Sequence, residues 1–339
     1  MRLRTLFFVA AVLTLGSSAA VAAAQNARSS GNYEPPRNSD GRPILEGRWT
    51  NTSLTVLERP KDLTTLVLSE EGARRAAQVR NQASDRDSQP TDPSSPAPAA
   101  GRDVGGYNAF WTDTGTSFAK IGGEYRSSWL VDPVDGKLPY TDAGRKLFAA
   151  GFTQQRTATS DPELRSLGER CLLGFGSSSG PPMLNVSYNN NYQIVQTPNN
   201  VVLFSEMIHD ARVVRMDSPH LPVSMRRWMG DAVGRWDGDT LVIETINMHP
   251  QESMRVYYGQ SFYISKDAKI TERLTRVSDK QLLYRFEVDD PGVYSQIWRA
   301  EMVFNASVAA SYEYACHEGN YSMPGILAAG RKEDRAARR

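Results

Sequence analysis

Hydrophobic and polar positions alternate with period two through most of the second half of the chain. NYQIVQT (191–197) and VVLFSEMI (201–208) are separated by Pro198-Asn199-Asn200, and ARVVRM (211–216) follows. TLVIETIN (240–247) comes after the turn residues Asp237-Gly238-Asp239. KITERLTRV (269–277) and QLLYRFEV (281–288) make a hairpin pattern around Ser278-Asp279-Lys280, and VYSQIWRAEMVF (293–304) pairs naturally after them. Such alternation, bounded by turn residues, marks half-buried strands. Strands of this length without intervening helices predict a mainly β fold: an antiparallel β-barrel or sandwich, calycin-like, with a few short helices.

The first half is less regular. PILEGRWTNTSLTV (43–56) is the first β-like stretch, and YRSSWLV (125–131) runs into a turn at 132–136. VLSEEGARRAAQVRNQA (67–83) reads as a helix, with Ser69 as N-cap and Glu70 and Glu71 in the first turn. Residues 141–155 suit a second short helix capped by Thr141. Residues 84–103 are rich in Pro, Ser, Asp and Ala and read as a loop or linker. The expected organisation is a signal peptide (1–24), an N-terminal extension with one strand, one helix and a linker (25–106), a β-rich core (107–327) and a basic tail (328–339).

The signal peptide rests on Arg2 and Arg4, an apolar run over 6–15, and small residues before a cleavage point near Ala24 and Gln25. Gly16-Ser17-Ser18 interrupts the run well short of the roughly 20 residues that a membrane span needs. A periplasmic or secreted protein without integral membrane contact is expected. In such an oxidising compartment two cysteines usually pair, and Cys171 and Cys316 are the only two. The alternative is two separate buried thiols. Charge is balanced, with 39 basic and 38 acidic residues, which gives no reason to expect nucleic acid as a partner.

Strand parity groups charged side chains with apolar ones. Glu206 shares a face with Val202, Phe204 and Ile208; Glu244 with Val242 and Ile246; Glu272 with Ile270 and Leu274; Glu301 with Ile297 and Val303. A carboxylate that faces an interior must be paired or neutralised. A lumen or cleft lined by carboxylates, arginines, Tyr and Trp would suit a polar, sugar-like or carboxylate-bearing ligand. The alternative is a set of cross-strand ion pairs on the solvent face. Glu206 and Glu244 are the favoured lumen residues, with Arg212, Arg215 and Arg235 as cations and Trp236 and Tyr188 as aromatic contacts. Asn189, Asn190 and Asn191 offer amides for hydroxyls or a carboxylate, or simply build a tight turn.

The remaining motifs are sparse. GSSSG (176–180) formally matches a nucleophile elbow, but Pro181-Pro182 follow at once where a helix is required, so it reads as a loop. His209-Asp210 and His317-Glu318 each place a histidine beside a carboxylate and are candidate acid–base pairs. Histidines are few and without ligand spacing, so no metal is expected. With no phosphate loop and no dinucleotide fingerprint, no cofactor is expected either.

Together, SGPPM with YNNNYQIVQTP, SEMIHDARVVR with HLP, WMGDAVGRWDGDTLVIET, ITERLTRV and YEYACHEGNY resemble a widespread family of secreted bacterial proteins. The resemblance runs from about Tyr107 to Leu327. It implies that these segments are family signatures, and it assigns no catalytic residue. The function expected from the residues is a hydrolase or lyase acting on a carbohydrate or similar small polar ligand, with His209, His317, Glu206, Glu244 and Glu318 as catalytic candidates. A calycin-like binding protein for an apolar or aromatic ligand, and a structural envelope protein, are the alternatives.

Overall fold

The computed structural model describes residues 33–87, 94, 96, 112–257 and 260–339. The expected signal peptide and most of the linker lie outside these residues. In chain order the elements are β1 (Gly47–Thr50), β2 (Val67–Leu68), α1 (Glu70–Asp87), β3 (Lys120–Ile121), β4 (Glu124–Arg126), β5 (Leu130–Asp132) and α2 (Asp142–Thr157). There follow β6 (Asn191–Gln196), β7 (Asn200–Ser205), β8 (Ala211–Met216), β9 (Asp231–Asp237), β10 (Thr240–Ile246), β11 (Met254–Arg255) and β12 (Phe262–Tyr263). The chain ends with β13 (Lys269–Ser278), β14 (Gln281–Asp289), β15 (Trp298–Ala306), α3 (Cys316–Gly319) and α4 (Ser322–Ala337).

Nine strands close into a barrel in the order β1-β6-β7-β8-β9-β10-β13-β14-β15, with β1 pairing back to β15 through Trp49 opposite Ala306. Short β5 occupies the other end of the same β15 edge. The barrel is mixed. Every neighbouring pair is antiparallel except β8 and β9, which run parallel with Arg215 opposite Val233. A parallel pair needs a crossover of about a dozen residues or more, and residues 217–230 supply it. β1 comes from the segment read as an extension, and the compact unit begins at Pro35, not at residue 107.

The two helices start where their caps predict. The Ser69 hydroxyl accepts from the Gly72 N–H at 3.1 Å, and the Thr141 hydroxyl from the Gly144 N–H at 2.9 Å. β9 was not foreseen, because Gly234 breaks its pattern. A Cβ at 234 would stand 2.7 Å from Val214 and 2.8 Å from the Met216 sulfur, so only glycine lets β8 and β9 pack this closely.

The inward rows of the strands fill the barrel. Tyr192 and Phe304 meet edge to face at 5.0 Å, as do Tyr284 and Phe304 at 5.4 Å and Phe286 and Trp298 at 5.7 Å. Each such side chain, fully buried, stabilises the fold by about 1.5–3 kcal/mol. Between Met183, Tyr192, Ile194, Leu203, Leu274 and Phe304 there remains a void of about 10 Å³. That is close to the size of one water molecule. The lumen is a packed core, as in the small barrels whose interior is just wide enough for side chains.

Candidate functional site

Parity left open which face of each strand is interior, and the structure inverts the expectation. Glu272 is the lumen carboxylate, fully buried, while Glu244 and Glu301 stand on the outer wall. Arg212 faces the same interior and forks onto Glu272, with Nη2 donating to Oε1 at 2.8 Å and Nη1 to Oε2. The Tyr284 hydroxyl donates to Glu272 Oε1 at 2.6 Å and accepts from the Met183 N–H at 3.0 Å. Arg212 is thus held inside the closed core by its carboxylate partner, away from the outer wall.

Glu206 lies beyond the end of β7, in a short 3-10 turn over Met207–His209. One carboxylate oxygen accepts from the Asn191 amide at 2.7 Å, the other from the Tyr312 N–H at 3.0 Å. It fastens the C-terminal segment to the barrel end. Asn190, fully buried, satisfies its own loop through the Val186 N–H and C=O and the Asp113 C=O. The asparagine run is a turn, not a ligand cradle, and Asn189 supplies its left-handed residue (φ 55°).

Cys171 and Cys316 are joined, with Cα atoms 5.7 Å apart. The bond brings the C-terminal segment onto the barrel end, where Tyr314 and Cys316 pack with Phe175, Tyr188 and Tyr257 against Val186, Met207 and Ile208. Four non-glycine residues adopt left-handed backbone here: Cys171, Asn189, Ile208 and His209. Ile208 is the unusual one, since β-branched side chains rarely tolerate positive φ. The side chains of His209, His317 and Glu318 are exposed. None is brought into a cleft with Glu206, so the expected pairing of these groups is not made. Trp236 packs on the core and Arg235 is exposed on the outer wall.

Beneath this end lies a second buried ion pair. Arg255 approaches Glu252 Oε1 at 2.7 Å, and both side chains are almost fully buried. Burial outweighs the guanidinium and pushes the Glu252 carboxyl up to about 8. Burial also raises Asp210, against the Ser179 hydroxyl and the Gly174 N–H that it accepts.

The structure does bring two expected residues, Arg215 and Glu244, into one chemical cluster on the outer wall. The 217–230 crossover leaves β8, passes outside the barrel and re-enters at β9. The Asn247 amide pins it by donating to the Leu221 C=O at 2.8 Å. This path sets His220 over the β9–β10 wall. Its Nδ1 lies 2.9 Å from Asp231 Oδ2 and its Nε2 lies 3.3 Å from Glu244 Oε1. Asp231, the first residue of β9, is 1% exposed and also accepts from the Leu221 N–H and from Arg215 Nη2. Burial opposes its ionisation, but the Leu221 N–H, His220 and Arg215 together hold its carboxyl below the usual range. Of the two acceptor carboxylates, the nearer and buried Asp231 takes the N–H of the neutral ring at Nδ1, and Nε2 faces Glu244.

Glu244 is 41% exposed, and its second oxygen lies 3.4 Å from Lys269 Nζ. One carboxylate thus bridges an imidazole and an ammonium. In register, Glu244 faces Val233 and Thr271, which puts Arg235, Lys269 and Arg273 at its diagonal positions on the outer wall. Among the described residues no serine hydroxyl or cysteine thiol bonds the His220 ring. Parity pointed to Glu244. His220 gave no such signal, because it sits in an irregular proline-flanked crossover whose path only the parallel β8–β9 pairing fixes.

The fold and this cluster define a closed, side-chain-filled β-barrel with an oriented histidine–carboxylate site on its outer wall. The chain matches no family model, no curated protein and no solved structure.

Proposed function

We propose that this protein is an exported acid–base enzyme, a lyase or hydrolase acting on a carbohydrate or similar polar molecule, with its chemistry at His220. The observation that carries the reading is the Asp231–His220–Glu244 array. A buried carboxylate orients the ring through Nδ1, and Nε2 faces the partly exposed Glu244 at 3.3 Å, an array suited to acid–base chemistry. Arg215 neutralises Asp231 through Nη2, which also donates to the Pro219 C=O. The basic, apolar and small-residue order of residues 1–24 supports export. A calycin-like binding protein needs an open lumen for its ligand, and here side chains fill it.

The test is turnover by the purified mature protein on a panel of glycosides and polysaccharides, compared with His220→Asn and Asp231→Asn. General acid–base groups contribute on the order of 10²–10⁴-fold, so both variants should lose at least about 100-fold in kcat. Full retention of activity by folded His220→Asn would place the chemistry elsewhere.

A further inference from the structure

Resting on that reading of His220, we infer that the reaction is an elimination and that the substrate is a hexuronate: a sugar unit with a carboxylate on the carbon that loses the proton and a glycosidic oxygen on the next carbon.

Three features of the site lead there. First, two-carboxylate hydrolysis needs a second available carboxyl group, one that protonates the leaving oxygen or attacks the sugar. Asp231 is unavailable: it is 1% exposed and accepts from Leu221, His220 and Arg215 at once. Of the two carboxylates on the ring only Glu244 is exposed to solvent, and both its oxygens already face His220 and Lys269. Second, elimination next to a carboxylate needs a base and a cation that neutralises the carboxylate, since charge builds on that group as the proton leaves. Arg235, at the diagonal of Glu244 in register, is exposed and is the cation this wall offers, while Arg215 is held by Asp231. Third, Glu244 touches both ends of a proton path, with Oε1 at 3.3 Å from His220 Nε2 and Oε2 at 3.4 Å from Lys269 Nζ.

The step balances without a co-reactant. His220 Nε2 takes the proton from the carbon bearing the carboxylate. The C–H electron pair becomes the carbon–carbon double bond, and the bond from the adjacent carbon to the glycosidic oxygen breaks. The leaving oxygen takes a proton from the Lys269 ammonium. Glu244 passes the proton from His220 to Lys269 and restores both. The products are an unsaturated uronate and a free hydroxyl group.

The experiment uses polygalacturonate and alginate, each beside the same polymer with its carboxyl groups reduced to alcohols. Ultraviolet absorbance follows the conjugated alkene, and reducing ends are counted in parallel. The expected result is alkene formed in step with reducing ends on at least one acidic polymer, and neither on the reduced one. His220→Asn and Lys269→Met should each slow it by about 100-fold or more, with unchanged far-UV circular dichroism. Lys269 is half exposed, so its loss leaves folding intact. Reducing ends without alkene, or equal cleavage of the reduced polymer, would overturn the elimination while the acid–base reading stands. No product from either acidic polymer would overturn the hexuronate assignment. Alkene formation unaffected by His220→Asn would remove the underlying reading as well.

Discussion

Replacing Arg212 by methionine isolates the largest electrostatic commitment in the core. The guanidinium is 3% exposed and Glu272 not at all, and Tyr284 already donates to one of the Glu272 oxygens. Without Arg212 a fully buried carboxylate keeps a single phenolic donor. Breaking one partner of a buried pair costs about 3–5 kcal/mol, whereas replacing both by apolar residues of similar volume is often neutral or stabilising. For a chain of this size, with a urea slope of about 3 kcal/mol/M, that cost moves the unfolding midpoint down by roughly 1–2 M. The double variant Arg212→Met/Glu272→Met should recover most of the loss. The contacts predict this sign because the Arg212 Nε lacks a hydrogen-bond partner even in the native state, so the pair is not ideally compensated. The assay is a urea-based double-mutant cycle. A single-variant loss below about 1 kcal/mol, or a double variant no more stable than the additive sum, would refute the reasoning.

Other consequences are equally concrete. Glu252 rises from the ordinary 4.5 to about 8 on folding, so the native state keeps a proton that the unfolded chain has lost. Its contribution is fully present at acid pH and disappears as pH climbs towards about 8, at up to about 1.4 kcal/mol per pH unit. Urea midpoints of Glu252→Gln should therefore fall less steeply with pH than those of the wild type, and an unchanged slope would contradict the assignment. Opening the Cys171–Cys316 loop of 145 residues with a double serine variant should cost about 5 kcal/mol by chain entropy, read as a lower thermal midpoint. Gly144→Ala puts a Cβ 2.0 Å from the Val293 carbonyl oxygen. It should lower the thermal midpoint despite the roughly 1 kcal/mol of helix propensity that alanine adds.

The strands legible in the sequence are those that themselves keep strict alternation, whatever strand they pair with. β6, β8, β10, β13 and β14 fall within two residues of their patterns, because one face of each is core and the other meets solvent. The pattern fails where backbone geometry overrides it. YRSSWLV divides between β4 in a small three-stranded sheet and β5 at the barrel edge. VVLFSEMI stops at Ser205, since Ile208 and His209 turn left-handed. Face assignment fails for a different reason. Val242 is 4% exposed although it points outward with Glu244, so apolar neighbours flank carboxylates on both sides of the wall. Alternation then fixes which residues share a face and leaves the inside undefined. His220 was illegible for want of any local pattern: its two carboxylate partners come from β9 and β10, 11 and 24 residues away.

The central claim is that Asp231 holds His220 as a base with its proton on Nδ1 and Nε2 towards Glu244. Nitrogen-15 NMR of the imidazole rings in their neutral form reads this directly and needs no substrate. The account predicts a neutral ring protonated at Nδ1 in the wild type, and loss of that preference in Asp231→Asn. A wild-type ring carrying its proton on Nε2, unchanged by Asp231→Asn, would contradict it.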